Sequence, residues 1–218
     1  NYDLYGHGGS RMPNATPNLS LFSEQLADLL NHCAITNGVI VGFSLGGMIA
    51  RRFAQDAPDR SKGMVILHSP HKRNMAAQTA ILKRVEQARN MGPQSTIEAA
   101  LERWFTDDFR AFNPKLMDTV RQWVTANSKD VYHKIYQVLA TGIDEIVKPN
   151  PAVACPTLVI TGSEDFGNSP DMARAIASEI EGAKFLILKK LRHMALAEAP
   201  KAVNKPVREF IDSLELSK

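Results

Sequence analysis

The residues best suited to chemistry in this 218-residue chain are Gly42-Phe43-Ser44-Leu45-Gly46, a G-x-S-x-G pentapeptide. A serine hydroxyl is a weak nucleophile at neutral pH. It needs a histidine to take its proton and a carboxylate to fix that histidine's tautomer. The pentapeptide serves this chemistry on a strand that runs into a strained turn and then a helix, where the glycines let two backbones approach without a Cβ between them. The local sequence supplies that order. Residues 39 to 43 are β-branched or aromatic and end next to a turn, and helix-compatible sequence runs from Leu45 to about Ala57-Pro58, with Gly47 adding further small volume. A structural serine in an ordinary strand-to-helix turn is the plainer alternative.

The partners of Ser44 must arrive on loops that the fold carries to the same rim, so the other strands matter. Short apolar runs at Met64-Val65-Ile66-Leu67, Thr157-Leu158-Val159-Ile160 and Phe185-Leu186-Ile187-Leu188 have the character of buried parallel strands. They alternate with helical sequence, which implies a parallel sheet covered on both faces. Behind such an elbow, the acid and then the histidine follow the serine along the chain. Glu164 and Asp165 follow the third of these four strands, and His193 follows the fourth. His193 is therefore the candidate base, and two adjacent carboxylates compete for the acid. The other five histidines, His7, His32, His68, His71 and His133, are read as surface side chains, with His68 also placed to line a pocket.

Between Ser69 and Cys155 no strand-like run appears. Apolar residues fall at helical spacing over Ala76 to Met91, Thr96 to Phe105, Pro114 to Ala126 and Asp130 to Ala140. The chain thus divides into a first core segment carrying the elbow (1–70), a helical cap (71–150) and a second core segment (151–218). Such an insertion would roof the pocket, with Trp104 and Phe105 as candidate wall residues. Arg73, Arg103 and Arg110 are candidates for meeting a substrate carboxylate, although solvated arginines are the commoner case. From Ala202 to Leu216, apolar residues at helical intervals predict a closing helix on the sheet.

The elbow "GFSLGG", the acid loop "TGSEDFGNSP" and the histidine loop "RHMALAEAP" resemble the α/β-hydrolase superfamily. Within it the chain is similar to the 3-oxoadipate enol-lactonase group, through "LERWFTDDFR" and the preceding "MGPQSTIEAA". The resemblance implies an α/β-hydrolase fold, with a mostly parallel sheet flanked by helices and a helical cap. It implies a serine hydrolase acting on a small ester or lactone, with Ser44 as nucleophile, His193 as base, Asp165 rather than Glu164 as acid, the Leu45 N–H as an oxyanion donor and Trp104 against the substrate. A general carboxylesterase and a catalytically silent binding protein of the same fold are the alternatives. The opening segment Asp3 to Ser10 resembles the turn before the elbow unit, not an oxyanion loop, so His7 is not expected to act as a base. On this reading the early strands and the second oxyanion donor are expected upstream of Asn1.

Composition excludes other classes. A net charge of +3 arises from scattered Lys and Arg without a nucleic-acid reading module. The apolar runs fall far short of the ~20 residues that cross a membrane. No nicotinamide, flavin or metal motif appears, so no cofactor is implied and the expected partner is a small-molecule ester or lactone. The two cysteines, Cys33 and Cys155, lack metal-ligand spacing and are expected to be buried thiols. Low cysteine use and the lack of an export signal point to the cytoplasm.

Overall fold

The computed structural model describes residues 1–214. Four strands, β1 (Gly38–Phe43), β2 (Ser61–Leu67), β3 (Thr157–Gly162) and β4 (Lys184–Leu188), form one sheet in the order β1-β2-β3-β4. Every neighbouring pair is parallel. The register aligns Phe43 with Leu67, Leu67 with Ile160, and Ile160 with Leu186. The carboxyl ends of all four strands therefore lie along one rim, and the loops that leave them carry Ser44, His68, Asp165 and His193 there. β2 was expected from Met64 but starts at Ser61, because Ser61 and Gly63 already pair with β1.

Alternation of side chains along β2 and β3 explains why both strands read as continuous apolar runs. On one face Met64, Ile66 and Val159 pack against Ala50 and Ala54 of α2 (Leu45–Asp56) and against Ala173 and Ile176 of a helix over Pro170–Ser178. On the other face Val65, Leu67, Leu158 and Ile160 meet Val203 and Phe210 of the closing helix Pro200–Ser213. That helix starts two residues earlier than expected and ends at Ser213; Glu215 and Leu216, assigned to it from the sequence, lie outside the described residues. Among the described residues β1 has a partner on one side only, and Val41 at its centre is half exposed.

Ahead of the sheet, α1 (Leu19–His32) begins at Asn18, whose side-chain oxygen accepts the Leu21 N–H at 2.8 Å. Between β2 and β3 run α3 (Met75–Met91), α4 (Ile97–Trp104), α5 (Asp107–Phe112), α6 (Pro114–Thr125) and α7 (Lys129–Thr141). α5 was not expected, since six residues are too few to show a helical period; Thr106 caps it through the Phe109 N–H. After β3 come α8 (Pro170–Ser178), α9 (Ala195–Glu198) and α10 (Pro200–Ser213).

The helical segment is anchored where it leaves and rejoins the sheet. Arg51 of α2, almost fully buried, donates to the carbonyls of Pro70 (3.2 Å) and Ile146 (2.9 Å) and pairs with Glu179 at 3.2 Å. Burial pushes its guanidinium down to about 10, against the pull of Glu179. Val131, Ile135 and Val138 of α7 dock on Leu19, Phe22 and Met48 of α1 and α2. The expectation of buried thiols is corrected: Cys33 is exposed at the end of α1, past its apolar face, and Cys155 is only half-buried ahead of β3. Among the described residues no helix is long and apolar enough to cross a membrane.

Candidate active site

Ser44 sits between β1 and α2 with φ 53° and ψ −114°, a backbone region that a non-glycine residue rarely adopts. The turn is held by the Ser44 N–H, which donates to Leu67 at 2.8 Å, and by its carbonyl, which accepts from the Gly47 N–H at 3.0 Å. The glycines have a direct steric reason. A Cβ on Gly42 would run into the Gly46 carbonyl, and one on Gly47 would approach the Ser69 Cβ to 2.5 Å. Leu45 opens α2, so its N–H has no acceptor inside the helix.

Asp165 lies in the loop after β3 and is almost fully buried. Its Oδ1 accepts the backbone N–H groups of Gly167 (3.1 Å) and Asn168 (3.0 Å). Its Oδ2 accepts from Nδ1 of His193 at 2.8 Å and from Nδ1 of His68 at 2.9 Å. Burial pushes this carboxyl upward, but the charge and hydrogen bond of His193, joined by His68, hold it well below the usual carboxylate range. Glu164 turns the other way. Its side chain is partly exposed and stands 4.0 Å from Arg192.

The acid and histidine loops can meet because Gly162 lacks a Cβ, which would collide with the Leu191 carbonyl. Further bonds fasten them together: Ser163 N–H to Leu188 at 2.8 Å, Glu164 N–H to Leu191 at 3.0 Å, and Lys190 N–H to the Ser163 hydroxyl at 2.9 Å. His193 is itself buried, its ring 4.9 Å from Phe43 and 6.3 Å from Trp104. The Met194 N–H reaches the Trp104 carbonyl at 2.8 Å, and Arg192 donates to the carbonyls of Glu102 and Phe105. With Nδ1–H given to Asp165, Nε2 of His193 is left as a proton acceptor.

Ser44, Leu45, Trp104, Asp165 and His193 all line one cavity of about 210 Å³. His7 also reaches its wall. The helical segment contributes Arg73 and Arg84 from around α3 and Arg103 from α4, together with Tyr132 and Tyr136 of α7. Arg84 donates to the Tyr136 hydroxyl at 3.0 Å. Nη1 of Arg73 is buried without a hydrogen-bond partner. Among the described residues none of these three arginines forms an ion pair. Burial, and then the charge of Arg84, push Arg73 down to about 10 and lower Arg103 as well.

Several sequence expectations need correction. Phe105 is fully buried against Phe109, ring centroids 5.7 Å apart, and does not line the cavity. Arg110 pairs with Asp107 at 2.8 Å, away from it. His68 is not a surface residue but has no exposure at all. His71 is half-buried against Glu179 at 3.0 Å. Arg84 was missed, although its place on the cavity-facing turn of a predicted helix was a signal that could have found it. His68, Asp165 and His193 also place donor atoms within 4.8 Å of one another, as a metal site would. Shared Nδ1–H···Oδ2 bonds account for that closeness with protons.

A strained serine elbow, a buried carboxylate and a histidine at one rim of a parallel sheet are matched at the level of the whole chain. The family model for the α/β-hydrolase fold matches residues 2–200. The chain belongs to the α/β-hydrolase family. This hydrolase-fold chain is 25% identical over 211 residues to (E)-2-((N-methylformamido)methylene)succinate hydrolase of Acinetobacter baylyi, covering 97% of itself and 79% of that protein. Among solved structures it superposes on the enol-lactonase of Burkholderia xenovorans with TM-score 0.88 at 24% identity, covering 97% of this chain and 80% of the other. A thermophilic esterase of Thermogutta terrifontis gives TM-score 0.86 at 24% identity, with 98% and 79% covered. Its relatives and structural neighbours thus include hydrolases with lactonase and esterase names.

Proposed function

We propose that this α/β-hydrolase is a serine hydrolase that opens a small ester or lactone, with enol-lactonase-like chemistry. His193 Nε2 takes the Ser44 proton as Oγ attacks the carbonyl carbon, and the Leu45 N–H meets the developing oxyanion. Collapse of the tetrahedral adduct breaks the acyl–oxygen bond, and the imidazolium returns its proton to the departing oxygen, which stays tethered when the substrate is a lactone. Water, deprotonated by the same His193, then releases the acid. Asp165 holds the Nδ1–H tautomer throughout and stabilises the imidazolium.

One observation carries this reading: the buried Asp165–His193 pair at 2.8 Å opens onto the same cavity as a serine strained at φ 53°. The helices α3 to α7 act as the cap of residues 71–150, with Trp104 against the substrate. The cavity is smaller than the roughly 300–1,000 Å³ of drug-sized sites, which favours a compact substrate. Its unpaired arginines favour one that bears a carboxylate, and this is what separates the lactonase-like reading from a general carboxylesterase sharing the same catalytic groups. A cytoplasmic setting fits the low cysteine use.

A fluorophosphonate probe at neutral pH tests the reaction. Ser44 is expected to be labelled in the folded protein and Ser44→Ala to remain unlabelled. An unlabelled wild-type protein would favour the silent binding protein instead. Turnover of an acid-bearing enol-lactone against a short neutral aryl ester tests the substrate class, with the lactone expected to be faster.

A further inference from the structure

The acid of the proposed triad carries two histidines, and the mechanism above uses one. His68 follows β2 with no exposure and with φ 49°, its N–H anchored to the Ile160 carbonyl at 2.7 Å. The ring stands edge-on to His193 with centroids 5.7 Å apart and lies 5.9 Å from Phe43. Nδ1 reaches Asp165 Oδ2 at 2.9 Å, while Nε2 is buried with no partner. A left-handed backbone and an unpaired ring nitrogen are costs that an apolar residue of similar size at this position would not carry in full.

The bond geometry says what those costs secure. Each carboxylate oxygen offers about two lone-pair directions. On Oδ1 both are taken by the N–H groups of Gly167 and Asn168, and on Oδ2 both are taken by His193 and His68. We propose that His68 is a positioning residue that completes the hydrogen-bond shell of Asp165 and so sets how tightly His193 holds its catalytic proton. A carboxylate already accepting a bond from His68 has less electron density to give to the His193 imidazolium. Removing that donor makes Asp165 a stronger acceptor and makes His193 harder to deprotonate.

His68 does this as a neutral Nδ1–H donor. Burial lowers its proton affinity, outweighing the pull of Asp165, and a charge on His193 lowers it further. A charged His68 would put a second, unpaired N–H in the core beside His193. The groups facing the pair are Asp165 and His193 from the loops after β3 and β4 and Ser44 from the elbow, with His7, Tyr132, Tyr136, Arg73, Arg84 and Arg103 around the cavity. Arg73, pushed down to about 10 by burial and by the charge of Arg84, still carries its charge at neutral pH.

The proposal rests on the triad reading, and two measurements separate the two. His68→Leu removes the donor, whereas His68→Asn returns an amide N–H near the place of Nδ1. The acid limb of kcat/KM is expected to move up by about 0.5–1 pH unit in His68→Leu, with about tenfold lower kcat/KM at neutral pH. His68→Asn is expected to bring the midpoint back toward wild type. A folded His68→Leu protein with an unmoved midpoint, or the two variants shifting alike, would overturn the assignment and leave His68 as packing. The second measurement needs no turnover: long-range 15N–1H spectra of the wild-type imidazoles. His68 is expected to be neutral and Nδ1-protonated at neutral pH and to take up its second proton only below the pH at which a free imidazole does; an Nε2–H tautomer, or a His68 that is charged at neutral pH, would sink the proposal even in an active enzyme. Should the protein hydrolyse nothing while His68 keeps this tautomer, the triad reading fails and the His68–Asp165 bond stands.

Discussion

The two walls of the cavity are built on opposite principles. On the strand side, Asp165 is buried with both carboxylate oxygens satisfied by four donors, and the loops around it are fastened to each other by backbone bonds. On the helical side, Arg73 and Arg103 lie near Arg84 and, among the described residues, none of the three forms an ion pair and Nη1 of Arg73 has no hydrogen-bond partner. A carboxylate whose acceptor positions are all filled is held in one arrangement. The three arginines are half-buried, partly desolvated cations without an ion pair are costly, and an arriving anion would offset that cost. On the proposed function, the strand side is prepared for a reaction before substrate arrives, and the helical side would be completed by an acid-bearing substrate.

The sharpest way to break this contrast is at the carboxylates. Asp165→Asn is expected to lower kcat by about 10⁴ through loss of the tautomer, while Glu164→Gln, at a partly exposed side chain, stays within about twofold of wild type. If Glu164→Gln were the damaging change, the strand side would not be organised as described. The helical wall predicts a smaller effect of a different kind. Arg73→Gln or Arg103→Gln should raise KM for an acid-bearing ester by about 10- to 100-fold, and narrow its advantage over the matching neutral methyl ester. Arg89→Gln, exposed on α3 and paired with Glu86, should leave that ratio alone. An equal loss on both esters would remove the arginines from substrate recognition.

The smallest effect is on stability against pH. Asp165 has a lowered folded value, so its contribution is complete above the unfolded carboxylate value near 4 and is lost as pH falls through the folded one. His68 is also lowered, so the unfolded chain binds a proton that the folded one refuses, and stability falls as pH drops below about 6.5. Tm is therefore expected to decline on acidification from about pH 7 to 5, and less steeply in His68→Asn. Parallel declines in the two proteins would mean that His68 is not held neutral by the strand side.

Much of this was legible without coordinates, for particular reasons. The elbow was readable because the G-x-S-x-G pattern is local and the Cβ excluded at Gly42 would meet the Gly46 carbonyl only four residues on, whereas Gly47 is constrained by Ser69 from across the fold. The four strands were readable because β2, β3 and much of β4 are apolar over consecutive residues. α5 was not, being shorter than two helical turns. His193 could be chosen by its place after the last strand, but the choice between Asp165 and Glu164 needed the family likeness, since adjacent residues in a loop point in different directions for reasons that lie elsewhere in the chain.

Local chemistry along the chain therefore determined the strand order of events: a serine on a turn, a carboxylate after the third strand, a histidine after the fourth, and helices between the second and third. Only tertiary structure decided which side chains share the cavity. His68 and Asp165 are 97 positions apart and touch because β2 and β3 pair in a register that aligns their carboxyl ends. Arg73, Arg84 and Arg103 face the same space because α7 docks on α1 and α2 and brings the helical segment back over the sheet. Burial, hydrogen-bond completion and the crowding of like charges are properties of neighbours in space, and a sequence pattern records neighbours along the chain.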